Sequence, residues 1–152
     1  MLKAIDRVLS LVLKPPFIEK PIFIWGAPRS GTTLLYEQLL KHDDVGYLGL
    51  DKGTLSEGTG FWWETFKMCR GTMDASMANT YRIWKIRKKY KEMLDRQGKT
   101  RLLDKIPFMI LWIPLVNEVF PDARHIHIIR DGRAVVNSVL YKVRSVLSGK
   151  PC

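Results

Sequence analysis

The sequence predicts an α/β fold in which a mainly parallel sheet is flanked by helices. Two observations lead to this prediction. Short apolar runs typical of buried strands alternate with longer stretches of helical periodicity. In addition, the apolar run "PIFIW" leads through the glycine-containing loop "GAPRSGTTLL" (26–35) directly into a helical stretch. This strand, loop and helix unit is the usual building block of layered α/β proteins.

The first half of the chain begins with an amphipathic segment. Apolar residues at helical spacing predict a helix over 1–14, which Pro15 and Pro16 separate from a strand at 22–25. A helix is expected over 32–42. The region 43–71 is rich in Gly, Thr and Asp, so long loops are predicted there, with a helical turn near 61–68.

The second half alternates helices and strands more regularly. A helix is predicted over 75–97, where Gly98 would end it. A strand at 100–106 and a helix over 107–120 follow, with Pro114 expected to kink that helix. A strand over 123–130 then leads into a helix over 131–147, which Asp131 is placed to cap.

Composition sets broad limits on the function. The chain has 152 residues, which suits one domain over 1–152, and its 46% hydrophobic and 26% charged residues are typical of a globular protein. A formal charge of +10 attracts anionic ligands or surfaces without selecting among them. Cys69 and Cys152 offer neither a disulfide framework nor zinc-type spacing, so a cytoplasmic location and no metal are predicted.

The N-terminal helix over 1–14 leaves two roles open. Four charged residues interrupt its apolar face, and the segment is too short to span a bilayer. Docking on the rest of the domain is the simpler expectation. Peripheral contact with a membrane surface is the alternative.

Three groups of anion-binding residues are expected at one edge of the sheet, because ligands of α/β sheets bind outside the carboxyl ends of the strands. The first is the loop 26–33, whose glycines let backbone amides and hydroxyls surround a phosphate. The second is Lys105, at the end of "RLLDK". The third is "IIRDGRAVVNS", where Arg130 ends a strand and Ser138 lies two turns into the next helix.

Each group alone has an ordinary structural explanation, such as a plain turn, a surface lysine or a helix start. The triphosphate-binding version of the loop carries a lysine where this chain has Thr32. A kinase or nucleotide hydrolase would also need Mg²⁺, for which Thr33 and Asp104 are the candidate ligands. Without the lysine, the loop better suits transfer of a less highly charged group.

These segments carry a family resemblance. "GAPRSGTTLL" together with "LLDKIPF…LVNEVFPDARHIHIIRDGRAVVNSVL" resembles the sulfotransferases that use 3'-phosphoadenosine 5'-phosphosulfate, in the branch with an arginine in the first loop. That branch includes protein-tyrosine and many bacterial sulfotransferases. The resemblance implies a three-layer, phosphate-loop type α/β fold. It also implies sulfuryl transfer to a hydroxyl or amine without a metal.

The resemblance assigns roles residue by residue. It implies that the loop residues bind the 5'-phosphosulfate: Pro28, Arg29, Ser30, Gly31, Thr32 and Thr33. Arg29 and Lys105 would also be catalytic, since they would stabilise negative charge on the leaving oxygen. Arg130 and Ser138 would bind the 3'-phosphate, with Lys142 adding to that contact.

The sequence leaves two candidates for the catalytic base. The resembling branch uses a glutamate soon after the first helix, but this chain has none at that spot. Asp51 is the nearest carboxylate, and Glu57 precedes the aromatic cluster "FWW" (61–63). That cluster is expected to pack in the core, with stacking on an acceptor as the alternative. The lysine- and arginine-rich stretch 82–91 is expected to be a solvated helix face, with recruitment of an acidic or sulfated acceptor as the alternative.

Length is the main departure from the resemblance, because relatives continue well beyond the 3'-phosphate helix. The chain is therefore predicted to be incomplete at its C-terminus, with the missing region supplied elsewhere or by a homo-oligomer. The expected partner is a small-molecule, glycan or peptide acceptor, with no specific nucleic acid. Two alternatives remain: a phosphate-loop kinase or nucleotide hydrolase, and a degenerate module that binds nucleotide or polyanion without catalysis.

Overall fold

The computed structural model of the chain describes six stretches, namely residues 9–48, 50–51, 54–55, 59–66, 73–105 and 111–148. A central sheet holds four parallel strands in the order β2-β5-β1-β6. Its strands are β1 (Ile22–Gly26), β2 (Val45–Gly46), β5 (Arg101–Lys105) and β6 (Arg124–Ile128). Two further strands, β3 (Leu50–Asp51) and β4 (Thr54–Leu55), form a separate antiparallel pair.

Helices connect these strands, as a parallel sheet requires. Residues 9–12 are helical and form α1, the described part of the helix predicted over 1–14. The others are α2 (Thr32–Leu39), α3 (Thr59–Phe66), α4 (Thr80–Gln97), α5 (Ile113–Val119) and α6 (Gly132–Leu147). Within the described residues, no helix is both long and apolar enough to cross a membrane.

Alternation along the strands separates the core into two apolar layers. Ile24 of β1 and Leu103 of β5 pack with Tyr36 of α2 on one face of the sheet. On the other face, Phe23 and Leu102 belong to a larger cluster that includes side chains of α3, α4 and α5. Helices therefore cover both faces, and the predicted α/β fold with three layers and a mainly parallel sheet is confirmed.

Two boundary predictions were wrong. The helix predicted over 75–97 is divided, because the Asn79 side chain accepts a hydrogen bond from the Arg82 amide and starts α4 afresh after a short 3₁₀ turn at Ala75–Met77. Pro114 makes no kink, because it lies in the first turn of α5, where its missing N–H costs nothing. Residues 106–110, the start of that predicted helix, lie outside the described residues.

The region 43–71 contains more regular structure than predicted. Val45 and Gly46 form β2 and extend the main sheet beside β5, and the predicted helical turn is the two-turn helix α3. Trp62 is fully buried, which confirms the expected core role for this member of the aromatic cluster. Gly98 ends α4 in a left-handed conformation (φ 63°), also as expected.

Candidate functional site

The loop after β1 is tight because of one glycine. A Cβ atom on Gly26 would come within 2.8 Å of both the Ile128 carbonyl oxygen and the Ser30 Oγ atom. Only glycine allows β1 and β6 to approach this closely at their carboxyl ends. The loop therefore begins directly beside the end of β6.

The loop leads to uncapped backbone amides at the start of α2. Gly31 is the N-cap of α2 with φ 107°, and a Cβ atom there would meet nothing within 4 Å. No side chain in the described part of the chain caps the α2 amides. A helix N-terminus with open amides and the positive end of a dipole favours an anion.

Ser30 is the strongest internal sign of an anion ligand. Its side chain is only 6% exposed, and its Oγ atom has no hydrogen-bond partner among the described residues. A buried hydroxyl without a partner costs about 1–3 kcal/mol. A phosphate or sulfate oxygen would satisfy it, so this loop fits the 5'-phosphosulfate of the expected donor.

Arg29 joins the loop to α6. Its backbone has φ 69°, a left-handed conformation that is uncommon outside glycine. Its Nε atom donates a hydrogen bond to the Ser138 Oγ atom at 3.1 Å. Its carbonyl oxygen accepts a 2.9 Å hydrogen bond from Nη1 of Arg130. Three residues predicted for the donor site therefore lie in contact, although about 100 positions separate the loop from the other two.

The start of α6 is built differently from the start of α2. Asp131 accepts hydrogen bonds from the Arg133 and Ala134 amides, which confirms the expected cap. The Arg133 side chain donates to the same carboxylate, and these contacts lower the pKa of Asp131 below its usual value. Because these amides are occupied, an anion here would rely on the side chains of Arg130 and Ser138.

The remaining loop residues, Pro28 and Thr33, are exposed, whereas Thr32 is buried. Lys142 is exposed on α6, one turn after Ser138. The side chain of Asp51, in β3, is outside the description, and Glu57 lies outside the described residues altogether. The two candidate bases therefore stay predictions.

Lys105 lies at the carboxyl end of β5, paired in register with Ile24 of β1. Its side chain is 5% exposed, and its Nζ atom is 6.0 Å from the centre of the Tyr36 ring. This places Lys105 on the sheet face that α2 covers. The role that Lys105 is predicted to share with Arg29 stays a prediction.

Asp104 lies on the sheet face opposite α2, and its carboxylate already has hydrogen-bond partners. Its carboxylate accepts hydrogen bonds from the Tyr90 hydroxyl and from the Lys105 amide, the latter at 2.8 Å. Trp62 in turn donates to the Tyr90 oxygen at 2.9 Å. Burial, followed by the charge of Asp104, raises the pKa of Tyr90 well above its usual value. These contacts disfavour Asp104 as the Mg²⁺ ligand that a kinase would need.

No sequence pattern indicated the Tyr90 contact with Asp104, because Tyr90 occupies an ordinary apolar position in the helical periodicity of its segment. His125 of β6 has a structural role. Its Nδ1 atom accepts a 2.8 Å hydrogen bond from the Trp25 indole, and its Nε2 atom lies 2.8 Å from Asn117 Oδ1. Partial burial lowers the pKa of His125. Among the described residues, no group of three or more metal-ligating side chains is present.

A parallel sheet with an uncapped glycine loop after its central strand defines an α/β protein of the phosphate-loop type. The family described as "Sulfotransferase family" matches residues 21–149 of this chain. The chain belongs to the sulfotransferase family.

Several curated relatives are similar along most of the chain. A protein-tyrosine sulfotransferase of Drosophila melanogaster is 31% identical over 139 residues, covering 89% of this chain and 27% of its own length. Protein-tyrosine sulfotransferase A of Caenorhabditis elegans is 32% identical over 124 residues, covering 78% of this chain and 32% of its own. Human protein-tyrosine sulfotransferase 1 is 27% identical, with coverages of 78% and 33%. No solved structure gave a significant match.

The chain spans less than half the length of the curated relatives it matches. The family match over residues 21–149 contains both segments that carry the predicted donor site.

Proposed function

We propose that this chain binds 3'-phosphoadenosine 5'-phosphosulfate and takes part in transferring its sulfuryl group to a hydroxyl acceptor. One observation carries the proposal: Arg29 contacts both Ser138 and Arg130, so the two expected phosphate-binding segments form one continuous site. The orphaned Ser30 hydroxyl and the uncapped α2 amides support an anion in the first segment. Membership of the sulfotransferase family makes this donor the natural choice among bis-anionic nucleotides.

Each part of the donor would be bound by a different group of residues. The Ser30 hydroxyl and the amides from Gly31 to Thr33 would bind the 5' end of the donor. Arg130 and Ser138 would bind its 3'-phosphate. The donor supplies an activated sulfuryl group, and Arg29 and Lys105 hold fixed positive charge where negative charge develops on the leaving oxygen.

The acceptor belongs to the same proposal. The similar proteins are named protein-tyrosine sulfotransferases, so a tyrosine hydroxyl in a peptide is the first acceptor to test. A proton must leave that hydroxyl, and Asp51 and Glu57 remain the two candidate bases. Asp51→Asn and Glu57→Gln should separate them, because only the true base will lower kcat strongly while donor affinity is unchanged.

Titration calorimetry with adenosine 3',5'-bisphosphate in the absence of metal tests donor binding first. Arg130→Ala should weaken binding about tenfold or more, since a hydrogen bond to a charged group contributes about 1.5–3 kcal/mol. Arg144→Ala, on the last turn of α6, is the matched control and should leave the affinity unchanged.

Binding of ATP only with Mg²⁺, and none of the bisphosphate, would contradict the proposal and favour a kinase or hydrolase. Bisphosphate binding without transfer to tyrosine peptides, glycans or small hydroxyl compounds would limit the isolated chain to binding.

A further inference from the structure

A groove between α3 and α4 lies apart from the donor site. Its volume is about 340 Å³, and its walls come from residues of two helices. Helix α3 contributes Phe61, Glu64 and Thr65, and α4 contributes Tyr81, Trp84, Lys85, Lys88, Lys89 and Glu92. None of the residues assigned to donor binding lines it. The groove is therefore a separate feature of the surface.

Aromatic rings form one wall of the groove. Tyr81 and Trp84 stack with ring centres 6.1 Å apart and planes 27° apart, and Tyr81 remains 48% exposed. Lys88 Nζ lies 4.7 Å from the centre of the Trp84 ring. The pair offers a flat apolar platform with a hydrogen-bond donor beside it, the combination that binding pockets use to orient a ligand.

The charges along the groove nearly cancel. Lys85 pairs with Glu64 at 3.1 Å, and Lys88 with Glu92 at 3.8 Å. Lys89 is the third lysine of the lining, so three cations face two carboxylates and the net charge is +1. The groove thus presents both hydrogen-bond donors and charged acceptors to a ligand.

Thr65 supplies an independent sign of a ligand. It lines the groove and is 7% exposed, and its Oγ1 atom has no hydrogen-bond partner among the described residues. Buried hydroxyls are normally paired, and leaving one unpaired costs about 1–3 kcal/mol. A polar group of a bound molecule would remove that cost.

We propose that this groove binds a saccharide unit carrying at most one negative charge. The ring face of a sugar packs on the Tyr81 platform, while its hydroxyls donate to Glu64 and Glu92 and accept from the lysines and Thr65. A nucleic acid or a strongly acidic peptide suits the groove less well, because each brings several negative charges to a groove whose net charge of +1 balances only one. The proposal concerns binding alone and does not depend on sulfuryl transfer.

The test is a titration of the whole chain with methyl β-glucoside and methyl β-glucuronide, followed through the NMR signal of the Trp84 indole N–H. Both sugars should shift this signal in a saturable way. Tyr81→Ala should weaken the binding at least about fivefold, the equivalent of losing one stacking contact, whereas Tyr81→Phe should retain it. Thr65→Val, of nearly equal size, should also weaken it.

Lys91→Gln is the matched control, since Lys91 lies on α4, pairs with Asp95 and does not line the groove. It should leave the sugar affinity unchanged. The proposal is overturned if neither sugar shifts the Trp84 signal, or if Tyr81→Ala binds as tightly as the unaltered chain. Tighter binding of hexaglutamate or of a single-stranded oligonucleotide than of either sugar would equally overturn it.

Discussion

The two strand–loop–helix units that meet at the proposed donor site differ in the burial of their strands and in the way their helices begin. In the first, β1 is buried and α2 begins with open amides. In the second, β6 is partly exposed and is the outermost strand of the sheet among the described residues, and Asp131 occupies the amides at the start of α6. The first unit can bind an anion through its backbone, whereas the second must use side chains. Backbone binding depends on loop shape and side-chain binding on residue identity, so substitutions should affect the two units differently.

The largest effect, on stability and ligand binding together, is expected from adding one methyl group to the loop after β1. Gly26→Ala places a Cβ atom 2.8 Å from a backbone oxygen that cannot move aside, so we expect a loss of about 2–4 kcal/mol in unfolding free energy, measured in urea. Bisphosphate binding should also be lost.

Gly132→Ala, at the start of α6, is the matched control, because a Cβ atom there meets nothing within 4 Å. Its stability should be unchanged or rise by about 0.5–1 kcal/mol. Equal losses from both substitutions would remove the distinction between the two units.

Truncating a side chain should also cost more stability in the buried sheet than on α6. Leu102 is fully buried in the β5 core, and Leu102→Ala should cost about 2–5 kcal/mol through the lost contacts and the cavity. Leu140 on α6 is 49% exposed, so Leu140→Ala should cost under about 0.5 kcal/mol. Urea midpoints of the two variants measure both values. A large loss from Leu140→Ala would show that α6 is packed more firmly than its exposure indicates.

Ser30 allows function and stability to be separated. Ser30→Ala removes a buried hydroxyl that has no partner among the described residues, so unfolding free energy should stay the same or rise slightly. Affinity for adenosine 3',5'-bisphosphate should fall about five- to tenfold, as calorimetry would measure. Ser148→Ala, just after α6, removes one hydrogen bond from an exposed residue to the Ser145 carbonyl oxygen, so it should change stability by under about 0.5 kcal/mol and leave the affinity unchanged. A bisphosphate affinity unchanged by Ser30→Ala would remove the hydroxyl from the site.

The smallest effect is expected on the pH dependence of stability, through His125 of β6, which bonds to Trp25 of β1. Burial lowers the pKa of His125 below its usual 6.5, so the folded chain binds fewer protons than the unfolded one. Its contribution to stability should be complete above about pH 6.5 and decline as the pH falls through the lowered pKa. Urea midpoints measured across this range, compared with those of His125→Gln, give the difference. A parallel pH dependence in both proteins would assign the effect to other groups.

Local patterns predicted the parts of this molecule that depend on neighbouring residues. The apolar run before Gly26, the Asp131 cap and the Gly98 stop all follow from chemistry within a few positions. The missed features depend on partners far along the chain. Nothing near Asp104 indicates that Tyr90 would bond to its carboxylate, because that contact arises only when α4 packs across β5. Likewise, the link from Arg29 to Ser138 requires the loop after β1 to meet α6, although both residues were separately predicted to belong to the donor site.

The two contacts of Arg29 would set the distance between the two proposed anion sites. Its side chain contacts Ser138 on α6 and its carbonyl oxygen contacts Arg130 just before α6, so the two proposed anion sites would be held at a fixed separation. A ligand with two phosphates at the matching distance engages the second site intramolecularly, as a chelate, and gains more affinity than either phosphate contributes separately. A nucleotide whose charges are all clustered at one end gains no such advantage, however many charges it carries.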